Sequence, residues 1–356
     1  MKLRLDFSLV VSTLIITLFG LLIHFSLSTS SFNLHLVFIS VGILFGIAVS
    51  QLDSKVIQHF AWHIYFFAIF LLLLTLVTGA STRGSTRWID IGNFSLQPSE
   101  FAKPMVIVAF AYFLTKFDIT KLKNLTKLSL LAVIPTFLVF LQPDLGSAGI
   151  FIITIIGMFF SAGTRFRHIL IVMVIALLCM PVFWHSLQTY QQTRVVTFLN
   201  PELDPLGKGY NSIQSIIAIG SGKIFGRGLG HGTQSKLRFL PEYKTDFVFA
   251  SLAEELGLIG SVVLIFSFTW LIWRIFTLAK NSSQSFNYHV SVGIAIMLFS
   301  QVFINIGMNL GLLPITGITL PLISSGGSSI ITSLISIGLV SSVSNTRKKL
   351  PMIEIT

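Results

Sequence analysis

The chain of 356 residues contains a single cysteine, 13 acidic residues and only 10% charged residues. One cysteine, Cys179, excludes an intrachain disulfide framework and a cysteine-rich metal site. With 53% hydrophobic residues and a mean hydropathy of +0.85, the chain has too few polar side chains to cover a water-soluble fold of this length. The composition therefore indicates an integral membrane protein.

Apolar runs long enough to cross a bilayer as helices recur along the chain. They lie at about 8–27, 34–52, 59–80, 98–116, 125–141, 144–163, 168–186, 250–274, 288–312 and 326–344. The runs lack the alternation that is typical of membrane β-strands. We therefore predict an all-α polytopic membrane protein in which residues 1–356 form one domain of about ten transmembrane helices. A large extracytoplasmic loop is predicted at 187–245.

Basic residues in the short loops predict the orientation of these helices. When ten spans are threaded, one side receives Lys2, Arg4, Lys55, Lys116, Lys121, Lys123, Lys127, Arg165, Arg167, Lys280 and Arg347–Lys349. That side is predicted to be cytoplasmic, and both termini lie on it. Because much of the net charge of +11 is then a topological signal, we do not expect nucleic-acid binding.

Three of the few acids occur where even-numbered spans begin at the predicted outer face: Glu100, Asp144 and Asp246. Any one of them alone fits a helix cap, since the helix dipole favours acids in the first turn. As a set with basic residues beside them, they favour a functional site. Lys103 lies three residues after Glu100 on the same helical face, which predicts an ion pair.

The predicted outer loops carry further candidate binding residues. Trp88 can lie at the headgroup level or stack on a sugar. The large loop is rich in basic residues, among them Arg194, Lys223 and Arg227, and basic charge beside a membrane favours an anionic substrate such as a lipid phosphate. The glycines between Gly220 and Gly232 lack the strand and helix of a dinucleotide site, so they are predicted to permit tight turns.

Several strings resemble one family, the SEDS proteins of bacterial shape, elongation, division and sporulation. They are Arg87-Trp-Ile, Gln97-Pro-Ser-Glu-Phe-Ala-Lys103, Gln142-Pro-Asp-Leu-Gly-Ser-Ala148, Phe198-Leu-Asn-Pro-Glu202, Gly209-Tyr-Asn-Ser-Ile-Gln-Ser215, Thr245-Asp-Phe-Val-Phe-Ala250, Ala253-Glu-Glu255, Asn305-Ile-Gly307 and Gly326-Gly-Ser-Ser329. Two further strings, Asp204-Pro-Leu-Gly207 and Gly232-Thr-Gln-Ser235, resemble the elongation branch more than the division branch. Lys244 and Ser325 depart from the pattern, because a histidine and a tyrosine are frequent there.

The resemblance implies a peptidoglycan glycosyltransferase that polymerises lipid II at the outer face of the bacterial cytoplasmic membrane. It also implies a partner, a class B penicillin-binding transpeptidase with one membrane span. Asp246 matches the essential aspartate of the family. Trp88, Glu100, Lys103 and Asp144 match positions that are tied to activity.

Our hypothesis is that Asp246 is the general base for the acceptor hydroxyl. Basic side chains among Lys103, Arg194, Lys223 and Arg227 would hold the diphosphate of the donor. No cofactor is predicted with certainty, and the sequence leaves a divalent cation open.

Two other functions stay open from the sequence. A lipid flippase or transporter also has about ten spans with broken helices. Glu254 and Glu255, expected roughly 12 Å deeper than Asp246 on an unbroken helix, favour that alternative. The third hypothesis is a scaffold that only recruits the cross-linking enzyme.

Overall fold

A computed structural model of the chain describes residues 6–82, 85–92, 94–168, 170–171, 174, 185, 187, 189–200, 204–205, 207 and 209–344. Its helices are α1 (Phe7–Leu27), α2 (Thr29–Ser50), α3 (Ser54–His59), α4 (Ala61–Thr78), α5 (Pro98–Lys116), α6 (Leu122–Leu141), α7 (Leu145–Ser161), α8 (Thr189–Leu199), α9 (Tyr210–Ser221), α10 (Thr233–Lys236), α11 (Val248–Lys280), α12 (Ser285–Asn309) and α13 (Gly327–Ser344). Helices thus coincide with every predicted apolar run except 168–186, most of which, with Cys179, lies outside the described residues.

Within the described part of the chain, seven helices are long and apolar enough to cross a membrane: α1, α2, α4, α6, α11, α12 and α13. The predicted polytopic all-α fold is therefore confirmed, whereas the number of ten crossings stays a prediction. Helix α5 contains the charged Glu100 and Lys103, and α7 is only 17 residues long. Both helices nevertheless pack inside the bundle, because more than half of the residues of each helix are buried.

Helix α12 lies at the centre of the bundle and contacts α5, α7, α11 and α13. It buries amides as well as apolar residues, including Asn287, Gln301, Asn305 and Asn309. A buried amide is costly unless it forms hydrogen bonds, and Asn305 and Asn309 form them with the backbone of neighbouring segments.

The loop between α4 and α5 contains three short strands that the sequence did not predict. Strands β1 (Ala80–Thr82), β2 (Ser85–Ile91) and β3 (Phe94–Leu96) form an antiparallel sheet in the order β1-β2-β3. Trp88 is opposite Ala80, and Ile89 is opposite Leu96. Because β3 leads directly into α5, the sheet brings Arg87 and Trp88 close to the first turn of that helix.

Helix α11 is broken at Gly257, whose φ of 67° is open to glycine and costly for other residues. The break leaves backbone groups on both sides without helical partners, and residues 222–230 supply them. The N–H of Leu258 donates to Lys223 O (2.9 Å), and the N–H groups of Arg227 and Gly228 donate to the carbonyls of Glu254 and Glu255 (3.0 Å each). The glycine-rich stretch is therefore a packed strip along α11 as well as a series of turns.

Helices α1 and α11 are antiparallel and joined at both ends. At one end Arg274 donates to both carboxylate oxygens of Asp6, at 2.9 and 2.6 Å. At the other end Ser26 donates to Glu255 at 2.5 Å. We call this second end of the bundle, where α1 ends and α5, α7 and α11 begin, the Asp246 face.

Candidate active site

The segment from Leu310 to Gly326, between α12 and α13, crosses the Asp246 face without regular structure. Ser324 accepts from Leu320 N (2.8 Å) and donates to Thr245 O (2.6 Å). The N–H of Ser325 donates to Lys244 O at 2.9 Å. The segment therefore fixes the two residues before Asp246. Since Ser325 acts through its backbone, a serine in place of the usual tyrosine keeps this contact.

Two asparagines of α12 hold the main chain of Asp246. Asn305 Nδ2 and Asn309 Nδ2 donate to Asp246 O at 3.1 and 3.0 Å, and Asn305 also donates to Ile318 O at 2.7 Å. Asn309 Oδ1 accepts from Ala250 N at 3.1 Å. Both side chains are fully buried. The sequence identified Asn305 only as part of a motif and missed Asn309, although amides four residues apart in an apolar helix were an available signal.

Asp144 caps α7 and is almost completely buried. Its carboxylate accepts from Ser147 N and from Gln97 Nε2, both at 3.1 Å. Arg87 Nη1 lies 3.7 Å from Asp144 Oδ1. The cap that the sequence suggested is thus real, and the same carboxylate also faces a guanidinium from the sheet.

Asp246 and Arg87 converge on Gly317. A Cβ on Gly317 would lie 3.5 Å from Asp246 Oδ2 and 4.0 Å from Arg87 Nη1. Arg87 also faces Asp144, so its guanidinium lies near the carboxylate that caps α7 and near the glycine that Asp246 approaches. The sequence noted Arg87 in a motif and did not include it among the candidate binding residues.

Glu100 and Lys103 form the predicted ion pair, with Lys103 Nζ 2.7 Å from Glu100 Oε1 and both side chains buried. The N–H of Gln97, just before α5, donates to Ser328 Oγ at 2.9 Å. The start of α5 is thereby joined to the start of α13. No described contact connects Lys103 to Asp246.

The other predicted binding residues lie in three places. Trp88 is half-buried on β2. Arg194 belongs to α8 and lines a cavity of about 510 Å³. Lys223 and Arg227 are exposed on the strip along α11, and no described contact joins either of them to Asp246. Their role as diphosphate ligands stays a prediction.

Glu254 and Glu255 lie before the break at Gly257 and near the end of α1, and their depth in the bilayer stays a prediction. Glu255 contacts Ser26 in the last turn of α1, and Lys244 Nζ donates to Ser28 Oγ (2.9 Å) in the adjoining turn. Both ends of the stretch 244–255 therefore lie at the Asp246 face. Glu254 has a structural role, since it accepts from the first residues of α10 at 2.8 to 3.2 Å.

The described residues contain no group of three or more histidine, cysteine, aspartate or glutamate side chains that could hold a metal ion. Arg87 Nη1 lies near Asp144 and near Gly317, which Asp246 also approaches. A hard cation prefers several oxygen ligands, so the divalent cation that the sequence left open stays a prediction. We assign no chemical step to a metal.

The fold and the site together define a multi-pass membrane protein with charged side chains buried where several helices begin at one face. The sequence profile of the FtsW/RodA/SpoVE family, described as a cell cycle protein, matches residues 6–349. The chain belongs to this family, which confirms the SEDS resemblance.

Named relatives cover most of the chain. Peptidoglycan glycosyltransferase MrdB of Escherichia coli K12 is 40% identical over 88% of this chain and 85% of its own length. A probable peptidoglycan glycosyltransferase FtsW of Coxiella burnetii is also 40% identical, over 86% of this chain and 84% of its own length.

Solved structures match as well. A structure described as "Structural coordination of polymerization and crosslinking by a peptidoglycan synthase complex" has a TM-score of 0.84 and 30% identity, covering 98% of this chain and 100% of that one. The rod shape determining protein RodA of Thermus thermophilus has a TM-score of 0.74 and 28% identity, covering 97% and 98%.

Proposed function

We propose that this chain is a peptidoglycan glycosyltransferase that polymerises lipid II at the outer face of the bacterial cytoplasmic membrane. The observation that carries the proposal is the Asp246 carboxylate, held through its main chain by two buried asparagines and facing the guanidinium of Arg87 across Gly317. The named activities of MrdB and FtsW support it.

Asp246 serves as the general base. It accepts the proton of the 4-hydroxyl of the acceptor N-acetylglucosamine as that oxygen attacks the anomeric carbon of the donor N-acetylmuramic acid. The bond from that carbon to the diphosphate breaks, and its electron pair leaves with the diphosphate. Attack opposite the leaving group inverts the anomeric carbon.

Arg87 is a cation that approaches Gly317 beside Asp246. Its Nε is buried and has no hydrogen-bond partner in the described part of the chain, while Nη1 lies 3.7 Å from Asp144. A planar guanidinium with free donors suits phosphate oxygens. We assign to Arg87 the stabilisation of the leaving diphosphate. Lys103 is occupied by Glu100, and Arg194, Lys223 and Arg227 then guide the lipid diphosphate along the large loop.

The Asp246 face is proposed to be extracytoplasmic, with both termini in the cytoplasm. The basic residues Lys55, Lys116, Arg165, Arg167 and Lys280 support this orientation, because they lie at the opposite ends of the helices. A class B penicillin-binding transpeptidase is the proposed partner, supported by the likeness to the chain from a peptidoglycan synthase complex.

We further propose a role in elongation rather than division. The strings Asp204-Pro-Leu-Gly207 and Gly232-Thr-Gln-Ser235 and the likeness to RodA support it, whereas identity to MrdB and FtsW is equal. Restoring rod shape to a cell depleted of its elongation polymerase would support this assignment. Restoring septation instead would refute it.

The test of the activity compares wild type with Asp246→Asn in a lipid II polymerisation assay on purified protein. Loss of a general base predicts that the polymerisation rate falls by at least about 100-fold. Asp90→Asn is the matched control, because Asp90 is an exposed acid of the same outer region that bonds only to Ser95 Oγ (2.6 Å) among the described residues. A wild-type rate for Asp246→Asn refutes the base assignment, and an absence of glycan from wild type favours a flippase.

A further inference from the structure

The cavity of about 510 Å³ that Arg194 lines opens between α8, α9 and the beginning of the segment 310–326. Its walls carry Thr193, Arg194 and Thr197 from α8 and Asn211 and Ser212 from α9. Leu313 and Ile315 form an apolar floor. A cavity of this size is large enough for a small ligand.

The polar wall has unused hydrogen-bonding capacity. Thr193 donates to Thr189 O at 2.8 Å, which leaves its oxygen able to accept. The side chains of Thr197, Asn211 and Ser212 form no hydrogen bond within the part of the chain that the structure describes, although only 8% of Ser212 is exposed. Hydroxyl and amide groups that line a cavity can bond to a polar ligand and not to a hydrocarbon chain, so a polar ligand is favoured.

The cavity is held in a defined position relative to Asp246. Ser215 Oγ on α9 donates to Asn309 O at 2.8 Å, and Asn309 Nδ2 donates to Asp246 O at 3.0 Å. Ile315 on the floor is two residues before Gly317, so their Cα atoms are at most about 7 Å apart. The cavity therefore begins about one sugar ring away from the reacting atoms.

We propose that this cavity binds the sugars of the glycan strand that adjoin the ring reacting at Asp246. The proposal rests on the proposed polymerase function and adds a strand subsite to it. Hydroxyl groups of the strand bond to Thr197 and Ser212, its acetamide groups bond to Asn211, and the apolar faces of the sugar rings lie on Leu313 and Ile315.

Binding is tested without catalysis in an Asp246→Asn background. Thr197→Cys is added, and its reaction with a maleimide is timed with and without a purified tetrasaccharide from glycan strands. We expect labelling to slow by about tenfold when most sites are filled. Thr120→Cys, exposed in the loop between α5 and α6, is the control for a cysteine outside the cavity. The Asp246→Asn parent without an added cysteine gives the background labelling of Cys179. Unchanged labelling of Thr197→Cys, or protection by undecaprenyl phosphate instead, overturns the proposal.

A second arm uses active enzyme and product length. Asn211→Leu with Ser212→Ala removes two neutral hydrogen-bonding groups, which predicts strand binding about tenfold weaker. Because the strand then dissociates sooner between couplings, the mean strand shortens at least about twofold. Wild-type strand lengths overturn the subsite. Since the labelling arm needs no turnover, an inactive wild type would refute the polymerase proposal without deciding on the cavity.

Discussion

Gly317→Ala places a methyl group between the two charged groups of the proposed site. The new carbon would lie 3.5 Å from Asp246 Oδ2 and 4.0 Å from Arg87 Nη1, which are ordinary van der Waals distances. Neither side chain therefore has to move. The methyl group does occupy the space between the base and the guanidinium, where the acceptor oxygen and the anomeric carbon must meet.

The cost to the fold and the cost to activity differ in origin. Gly317 has a φ of 74°, and alanine in this left-handed region costs about 1–2 kcal/mol. Excluding a reacting atom from its place has a larger effect, because a displacement of about 1 Å can lower a rate about 100-fold. We expect a modest loss of thermal stability and at least a tenfold loss of polymerisation, equivalent to about 1.4 kcal/mol or more in the activation barrier.

Gly163→Ala is the matched control. Gly163 has a φ of 88°, and a Cβ there would meet no atom within 4 Å. It follows α7 at the end away from Asp246, so the same backbone strain arises far from the site. Thermal unfolding in detergent and lipid II polymerisation are measured on both variants. Equal losses of activity for the two variants, or full activity for Gly317→Ala, would refute the placement of the reaction beside Gly317.

Three further predictions concern other contacts. Asn309→Ala removes hydrogen bonds from two buried backbone groups, so it lowers the stability of the fold by about 2 kcal/mol. Its kcat changes by a larger factor than its KM. Asn309→Asp retains the acceptor for Ala250 N and recovers part of the stability, measured by thermal unfolding in detergent. Gly226→Ala places a Cβ onto Glu255 O, so proteolysis should cleave the strip 222–230 faster than in wild type, and equal rates would contradict the packing. The Arg274 guanidinium donates to Asp6 and lowers the pKa of that carboxyl below 3.8, so the ion pair stabilises the fold above this pH. Asp6→Asn therefore costs about 1 kcal/mol of stability at neutral pH. The difference in stability between the variant and wild type shrinks as the pH falls through the lowered pKa. A difference that persists in acid would contradict this pairing.

Much of the membrane fold follows from hydropathy. In lipid the backbone must satisfy its own hydrogen bonds, which a helix does, so long apolar runs predicted α1, α2, α4 to α7 and α11 to α13. The shorter helices α3, α8, α9 and α10 were not predicted. The sheet β1-β2-β3 was missed because three short strands in a polar loop have no periodic signal. The break at Gly257 was missed because it depends on residues 222–230, distant in sequence, to satisfy the exposed backbone groups.

The site was predictable in part. An acid is expensive near a bilayer, which is why Glu100, Asp144 and Asp246 could be recognised as a set. From the sequence, basic residues can be counted but their distances from Asp246 cannot. The selection of Lys103, Arg194, Lys223 and Arg227 as diphosphate ligands therefore stays a prediction. The structure adds Arg87, which approaches Gly317 beside Asp246.

The order of residues alone determined that this chain enters a membrane, where its helices run and which family it belongs to, since each of these depends on local composition or on short strings. Tertiary structure alone decided which charges meet. Asp246 is positioned by Asn305 and Asn309 of another helix, and Arg87 approaches it across Gly317 from strand β2, more than 150 residues earlier in the chain. Such pairings depend on distances between segments, and no local pattern encodes a distance.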